Sequence, residues 1–185
     1  MSTDSLYSIV MRAAREIAGN GQLRSQLRRA DKAMEVFGLA EASHFDQKLR
    51  THLKTIPRDS TLPDEVLILL AQRNVAVPKD AGSERPTITP LATQLGGAKE
   101  DDRALSGLRF QRLMHAQAGD DRLRQMRRAL SLLNQPAHPI AVVEAYLALQ
   151  HESSARRFAN TYFTGSEVAA EPNPTETQSV EGSTP

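Results

Sequence analysis

The sequence predicts an all-α protein made of two small helical bundles, and three observations support this fold class. Large apolar residues recur at steps of three and four along most of the 185-residue chain, as they do on the buried face of a helix. No segment sustains the two-residue alternation of a β-strand, and the β-branched clusters are too short for a sheet. A long stretch containing Pro and Gly separates two helical stretches. We therefore divide the chain into a helical half at 1–73, a loop at 74–101, a second helical half at 102–164 and a tail at 165–185.

The first half contains four predicted helices. Three are indicated by apolar stripes, which comprise Leu6, Ile9, Val10, Ala13 and Ile17, then Leu23, Leu27, Ala30, Met34 and Phe37, then Phe45, Leu49, Leu53 and Ile56. The fourth is PDEVLILLAQR, which begins at Pro63 because a first helical turn tolerates proline. This segment is apolar enough that we expect it to be buried.

The loop carries one short predicted helix at 89–95, followed by a turn at Gly96 and Gly97. Four further helices make up the second half. The first contains Leu105, Leu108, Phe110, Leu113 and Met114. The next is DDRLRQMRRALSLL, whose apolar stripe comprises Leu123, Met126, Leu130 and Leu133. Asp120 and Asp121 mark its start, since carboxylates stabilise a first helical turn. The last two helices are PIAVVEAYLALQ and SSARRFANTYF.

The tail at 165–185 differs in composition from the rest of the chain. It contains four glutamates, no Lys or Arg, and almost no large apolar residue. Because it cannot bury enough surface to offset the entropy of ordering, we expect it to be disordered. Without it the chain has 23 basic and 18 acidic side chains, a net charge of +5, and 18 of the basic residues are arginine. Arginine suits bidentate contact with phosphate groups better than lysine does.

The composition also excludes several classes of protein. The absence of Cys rules out disulfides, thiolate nucleophiles and thiolate zinc sites, and it is typical of the reducing cytoplasm, where we expect the protein to act. No apolar run approaches the roughly 20 residues that cross a bilayer, so we expect no membrane partner. The first residues, MSTDSLYSIVMRAAREI, lack the features of a signal peptide.

Residues suited to catalysis or metal binding are sparse. The five histidines form neither an HExxH motif nor a pair at four-residue spacing on one helix face. The acidic run at 100–102 has no second acidic cluster with which to share a cation, so we interpret it as a helix cap. No nucleophile–base pair is recognisable. The sequence therefore predicts a protein that is not an enzyme and that holds no metal or other cofactor.

Basic residues recur on one face of several predicted helices. Helical spacing groups Arg24, Arg28 and Lys32, then Arg109, Arg112 and His115, then Arg124, Arg127 and Arg128. Further basic residues lie on the third helix, at Lys48, Arg50 and Lys54, and on the last, at Arg156 and Arg157. A single basic face is usually a solvated surface, but its repetition on at least four helices favours a polyanion partner. The alternative is a helical scaffold or adaptor whose basic faces bind acidic protein surfaces.

Aromatic residues bear on how nucleic acid would be bound. The chain has eight Phe or Tyr residues and no Trp, and most of them lie on predicted apolar faces. We therefore identify no platform on which unpaired bases would stack. Binding is predicted to involve mainly phosphate groups, which makes it tolerant of sequence and sensitive to salt.

Two parts of the chain carry a resemblance to a known family. In the second half these are RFQRLMHAQAGDDRLRQMRRALSLL, a connection marked by Pro, PIAVVEAYLALQ and ARRFANTYF. In the first half NGQLRSQLRRAD looks like an early arginine-pair helix, and the loop ends in TPLATQLGG. This order resembles the small subunit of the type I-E CRISPR Cascade complex, the CasB family. The resemblance covers about residues 5–163 and is most specific over 106–163.

The resemblance implies a non-catalytic, all-helical subunit of an antiviral complex. Such a subunit is present in two copies along a crRNA-bearing backbone, contacts the large subunit, and helps to hold the non-target DNA strand that is displaced when the guide pairs with the target strand. Its site residues, by position, would be Arg109, Arg112, Arg124, Arg127 and Arg128 of the family's basic motif, Arg24, Arg28 and Arg29 of the early arginine pair, and Arg156 and Arg157. Which of these contact DNA, and which contact crRNA or neighbouring subunits, stays open.

Overall fold

The computed structural model describes residues 5–36, 39–52, 60–78, 88–97 and 103–165. Most of these residues belong to nine α-helices: α1 (Leu6–Gly19), α2 (Gly21–Arg29), α3 (Ala40–His52), α4 (Leu62–Leu70), α5 (Leu91–Gly96), α6 (Gly107–Met114), α7 (Asp120–Ser131), α8 (Pro139–Ala148) and α9 (Glu152–Thr164). In these ranges the only β-type pairing is an isolated parallel bridge between Val75 and Ala137. The prediction of an all-α fold is confirmed.

Polar side chains fix where α1 and α2 begin. The Ser5 hydroxyl accepts a hydrogen bond from the Ser8 N–H at 3.3 Å, and Asn20 Oδ1 accepts one from the Leu23 N–H at 3.0 Å. Each bond satisfies an N–H group that a first helical turn leaves without an intrahelical partner. Because Asn20 also directly follows the last residue of α1, one residue ends the first helix and starts the second.

The second helix is shorter than its apolar pattern predicts. α2 ends at Arg29, and a single 3₁₀ turn follows at Ala33–Glu35. Met34, which we placed on the buried stripe, is 71% exposed, so that part of the prediction is wrong. Ala30 leaves the helical conformation, with ψ of 117°, and this ends the periodicity on which the prediction depended. Phe37 lies outside the described residues.

α4 is buried along its whole length. All nine of its residues are buried and Pro63 occupies its first turn, as the sequence predicts. The helix contacts α1, α2, α3, α7 and α8. Its carboxylate at Glu65 accepts hydrogen bonds from the hydroxyls of Thr61 and Tyr146, each at 2.6 Å. A carboxylate buried at 3% exposure is thereby satisfied by two neutral donors.

Helices from both predicted halves share one hydrophobic core. α8 packs against α1 and α4 as well as α9, and α7 packs against α4. The bridge between Val75, at the start of the predicted loop, and Ala137 adds two backbone hydrogen bonds, from the Ala76 N–H to the Ala137 carbonyl at 3.1 Å and from the Ala137 N–H to the Asn74 carbonyl at 2.7 Å. The division of the chain into two bundles at the loop stays a prediction, and the described helices of the two halves are joined by this packing.

The short helix of the loop is positioned by its contact with α9. α5 occupies Leu91–Gly96, close to the predicted 89–95, so Gly96, which was predicted to lie in a turn, belongs to the helix. The helix ends at Gly97, which has φ of 64°. A Cβ atom at Gly96 would overlap the backbone carbonyl of Tyr162. Glycine is therefore needed where the backbone of α5 touches that of α9.

Aromatic rings join α6 to α9. Phe110 stacks on Tyr162 with ring centroids 3.7 Å apart, and the Tyr162 hydroxyl donates to the Leu105 carbonyl at 2.6 Å. α6 begins at Gly107, so Leu105 precedes the helix to which the apolar pattern assigned it. Leu108 belongs to α6 but is 61% exposed. The pattern is right for Phe110, which is buried.

Several predictions concern residues outside the described ranges. These are the end of the third predicted helix with Leu53, Lys54 and Ile56, the helix cap at 100–102, the rest of the loop at 79–87 and 98–99, and the tail from residue 166 onward. Among the helices that are described, none combines the length and the apolar character needed to cross a membrane.

Candidate nucleic-acid interface

The ten arginines predicted to contact nucleic acid differ in exposure and in their partners. Within the described ranges, six of them are exposed and form no ion pair or side-chain hydrogen bond: Arg29, Arg109, Arg112, Arg124, Arg128 and Arg157. We call these six the free arginines. The other four, Arg24, Arg28, Arg127 and Arg156, lie among partners or neighbouring charges in the protein.

Four of the free arginines lie on the hairpin formed by α6 and α7. The two helices pack together through a buried face that includes Phe110, Leu113, Leu123 and Met126. The connection between them is short because Gly119 adopts a positive φ of 86°, a conformation that other residues rarely reach. Since an amphipathic helix that buries one face exposes the other, the hairpin presents its arginines to solvent: Arg109, Arg112, Arg124 and Arg128.

The two aspartates at the start of α7 lie in its first turn, as predicted. Their carboxylates nevertheless accept hydrogen bonds from outside the helix, Asp121 from the Gln117 N–H at 3.1 Å and Asp120 from the Ala33 N–H at 3.4 Å. The two negative charges still stabilise α7, because they lie at the positive end of its dipole. They also tie α7 to the link before it and to the 3₁₀ turn of the first half.

Arg127 does not share the environment of its neighbours on α7. Its guanidinium donates to the carbonyls of Arg28 and Ala30, each at 2.8 Å, and lies 3.6 Å from the exposed carboxylate of Asp31. These carbonyls belong to the last turn of α2, where the backbone has acceptors without intrahelical partners and the dipole is negative. Arg127 thus joins α7 to α2, and its contact with nucleic acid stays a prediction.

Arg24 has a similar intramolecular role at another helix end. Its Nε donates to the Ala71 carbonyl and its Nη2 to the Gln72 carbonyl, both at 3.3 Å. These two carbonyls follow the last residue of α4, so the guanidinium satisfies acceptors at the end of a buried helix. Helical spacing correctly places Arg24 and Arg28 on one face of α2. It does not show that this face packs against the end of α4.

Positive charge accumulates where α2, α4 and α7 meet. The pKa of Arg28 is lowered, first by partial burial and then by the positive charges of Arg73, Arg24 and Arg127. Arg73, an exposed residue just after α4, was not among the predicted site residues. It stands alone in sequence, and only the packing of α2 on α4 brings it to Arg28. Arg127 belongs to α7 and therefore to the hairpin. The arginines around it at this junction thus lie next to the hairpin.

The arginines of α9 lie near its start. Arg157 is exposed, and Arg156 forms an ion pair with Glu152 one turn earlier in the helix. The Arg156 and Glu152 side chains are 76% and 80% exposed, and an ion pair so open to water contributes little to stability.

The described residues contain no group of three or more His, Asp or Glu side chains that could hold a metal ion. His44, His115 and His151 are exposed, while His138 uses its ring nitrogen Nδ1 to accept a hydrogen bond from the Ile140 N–H at 3.2 Å at the start of α8. The chemistry that this surface offers is thus the binding of anions by guanidinium groups.

Comparison with known proteins identifies a family. The family model described as CRISPR-associated protein Cse2 matches residues 23–163, more than half of the chain, and this range includes all ten of the predicted arginines. No curated protein and no solved structure matches the chain.

Proposed function

Since the chain belongs to the family of CRISPR-associated protein Cse2 and is thus a subunit of a CRISPR Cascade complex, we propose that it holds the displaced non-target DNA strand of the R-loop. In this proposal it is the non-catalytic small subunit of the crRNA-guided complex and serves antiviral defence. Its partners are the crRNA, the two strands of the target DNA, the backbone and large subunits, and a second copy of itself.

The observation that carries the proposal is the set of four free arginines on the α6–α7 hairpin. They are Arg109, Arg112, Arg124 and Arg128, and within the described residues no acidic side chain neutralises them. Guanidinium groups without a partner in the fold are available to phosphate groups. A packed hairpin presents them in a fixed arrangement, so binding costs little ordering of the backbone.

Contacts to phosphate groups suit the task. R-loop formation exchanges one duplex for another of similar stability, so that a few contacts to the expelled strand can shift the balance. Phosphate contacts carry no sequence information. A subunit that must accept whatever strand the guide displaces needs contacts of this kind rather than base-specific hydrogen bonds.

The proposal predicts that removing the hairpin arginines weakens the R-loop but not the complex. We expect the variant Arg109→Ala/Arg112→Ala/Arg124→Ala/Arg128→Ala to assemble normally and to form fewer R-loops on a matched duplex. Each lost phosphate contact should reduce the slope of log K against log salt concentration by about one unit. The measurement is R-loop formation by the reconstituted complex over a salt series.

A matched control is Arg15→Ala, which removes an exposed arginine from α1 and should leave R-loop formation and its salt dependence unchanged. If the quadruple variant fails to assemble, the hairpin binds neighbouring subunits, as a scaffold or adaptor would, and the proposal is wrong. An assembled complex with an unchanged R-loop yield would contradict it equally.

A further inference from the structure

Phe163 does not fit the expectation that the chain lacks a platform for unpaired bases. Its side chain is 54% exposed on α9, whereas the adjacent Tyr162 is fully buried. Neighbouring residues on a helix point about 100° apart, so this aromatic pair cannot face the core together. Two adjacent aromatic residues at the end of a helix are therefore a sequence signal for one exposed ring.

The exposed ring is held in place by other aromatic rings. Its centroid lies 4.9 Å from that of Tyr162 and 5.6 Å from that of Phe110, with the ring planes at 81° and 76°. These are favourable edge-to-face arrangements. Because Phe110 and Tyr162 also stack on each other, Phe163 rests on a rigid support and loses little freedom when it binds a flat partner.

A positive charge lies beside the ring. The guanidinium carbon of Arg103 is 5.6 Å from the centroid of Phe163 and 5.3 Å from that of Tyr162. An exposed aromatic ring next to a guanidinium is the combination on which bases stack in proteins that bind single strands.

α9 places a phosphate-binding group in line with the ring. Arg156 and Phe163 are seven residues apart, which puts them within about 20° of each other around the helix and about 10 Å apart along it. Asn160, between them in sequence, is exposed. The surface ion pair that Arg156 makes with Glu152 is weak, so a phosphate can replace the carboxylate.

The two ends of α9 differ in the charge that they offer to a bound strand. The last turn contains no basic residue of its own and ends in carbonyl groups, so the only positive charge described beside Phe163 is that of Arg103 from outside the helix. The first turns carry Arg156 and Arg157 near the positive end of the dipole. A strand lying along α9 would therefore place a phosphate at the arginines and an uncharged base at Phe163.

We propose that Phe163 stacks on one unpaired base of the bound single strand while Arg156 binds a nearby phosphate group. This inference rests on the proposed function and adds a contact that depends on the base ring and not on the charge of the strand.

The test compares two single-stranded DNA probes of equal length and phosphate number, one natural and one abasic, bound to the full chain at low salt and followed by fluorescence anisotropy. We expect the wild type to prefer the natural strand by about 5- to 150-fold. Phe163→Ala should lose this preference, bind the abasic strand like the wild type, and keep the salt slope. Phe163→Trp should keep the preference. Leu108→Ala, which removes an apolar side chain of similar exposure from α6, should leave binding unchanged.

The possible failures are distinguishable. Circular dichroism first identifies a variant that has not folded, and Phe163→Leu, which keeps an apolar side chain without a ring, should lose the preference as Phe163→Ala does. If Phe163→Ala weakens the binding of both strands equally, or of neither strand, the proposal of a stacking site is wrong. Weaker binding by the quadruple arginine variant of the α6–α7 hairpin would in that case still support the proposed function. If the wild type binds neither strand at low salt, the proposed contact with the displaced strand fails as well.

Discussion

The His138 side chain shows how one residue can make the fold depend on pH. Its Nδ1 accepts the hydrogen bond from the Ile140 N–H that starts α8, which requires an unprotonated nitrogen. Its Nε2 is buried and has no hydrogen-bond partner among the described residues. Burial lowers the pKa of this imidazole, because the interior disfavours the charged form.

This environment predicts a loss of stability in mild acid. Above the ordinary histidine pKa of about 6.5 the folded and unfolded chains both carry neutral His138. As the pH falls through the interval between that value and the lowered pKa of the folded state, the unfolded chain binds a proton first and is favoured. We expect the wild type to lose more stability in this interval than His138→Asn, which keeps a capping acceptor that does not titrate. Urea unfolding at several pH values measures the difference, and identical pH dependence in both proteins would contradict it.

At the scale of elements, the sequence predicts helices well and helix ends poorly. Apolar periodicity located α1 and α7, because a helix that packs on one face repeats its buried residues. α4, which is buried along its whole length, was located by Pro63 and by its apolar composition. The same periodicity wrongly extended the second helix to Met34 and wrongly included Leu105 in α6. In both places the backbone leaves the helical conformation although the apolar residues keep the helical spacing. The site was predictable to the same extent. Spacing identified the face on which Arg124, Arg127 and Arg128 lie, but the partner of Arg127 depends on which helix end packs beside it.

The contact between α7 and α2 leads to a prediction about two arginines of one helix. Arg127→Ala removes two hydrogen bonds from a charged donor to carbonyls at the end of α2, so we expect the free energy of unfolding to fall by about 1–3 kcal/mol. Arg124→Ala, which removes a free arginine from the same helix, should change it by no more than about 0.5 kcal/mol. Chemical denaturation followed by circular dichroism provides both values. Equal effects would mean that the Arg127 contact does not stabilise the junction.

At the scale of the whole molecule, the hydrogen bond from the Tyr146 hydroxyl to the Glu65 carboxylate links the two predicted halves. Glu65 lies on α4 and Tyr146 on α8, and their hydrogen bond is buried. Burial, together with the negative charge and hydrogen bond of Glu65, raises the pKa of Tyr146 well above its usual range. The hydroxyl is therefore protonated at neutral pH, where it donates to Glu65.

Removing that hydroxyl tests whether the halves act as one unit. Tyr146→Phe leaves an oxygen of a buried carboxylate without its donor, and we expect a loss of about 1–3 kcal/mol. If the shared core unfolds cooperatively, amide hydrogen exchange should show the same loss of protection in α1 and α4 as in α7 and α9. A loss confined to one half would instead support two independent bundles.

The glycine that brings α5 against α9 has a consequence for the order of folding. A helix of six residues is too short to form by itself in water, so α5 needs the surface of α9 to be in place. During synthesis on the ribosome α5 emerges before α9, but it can form a stable helix only after α9 has emerged and packed against it. Its contacts then belong to a late step, so weakening them should hasten unfolding while leaving the folding rate nearly unchanged.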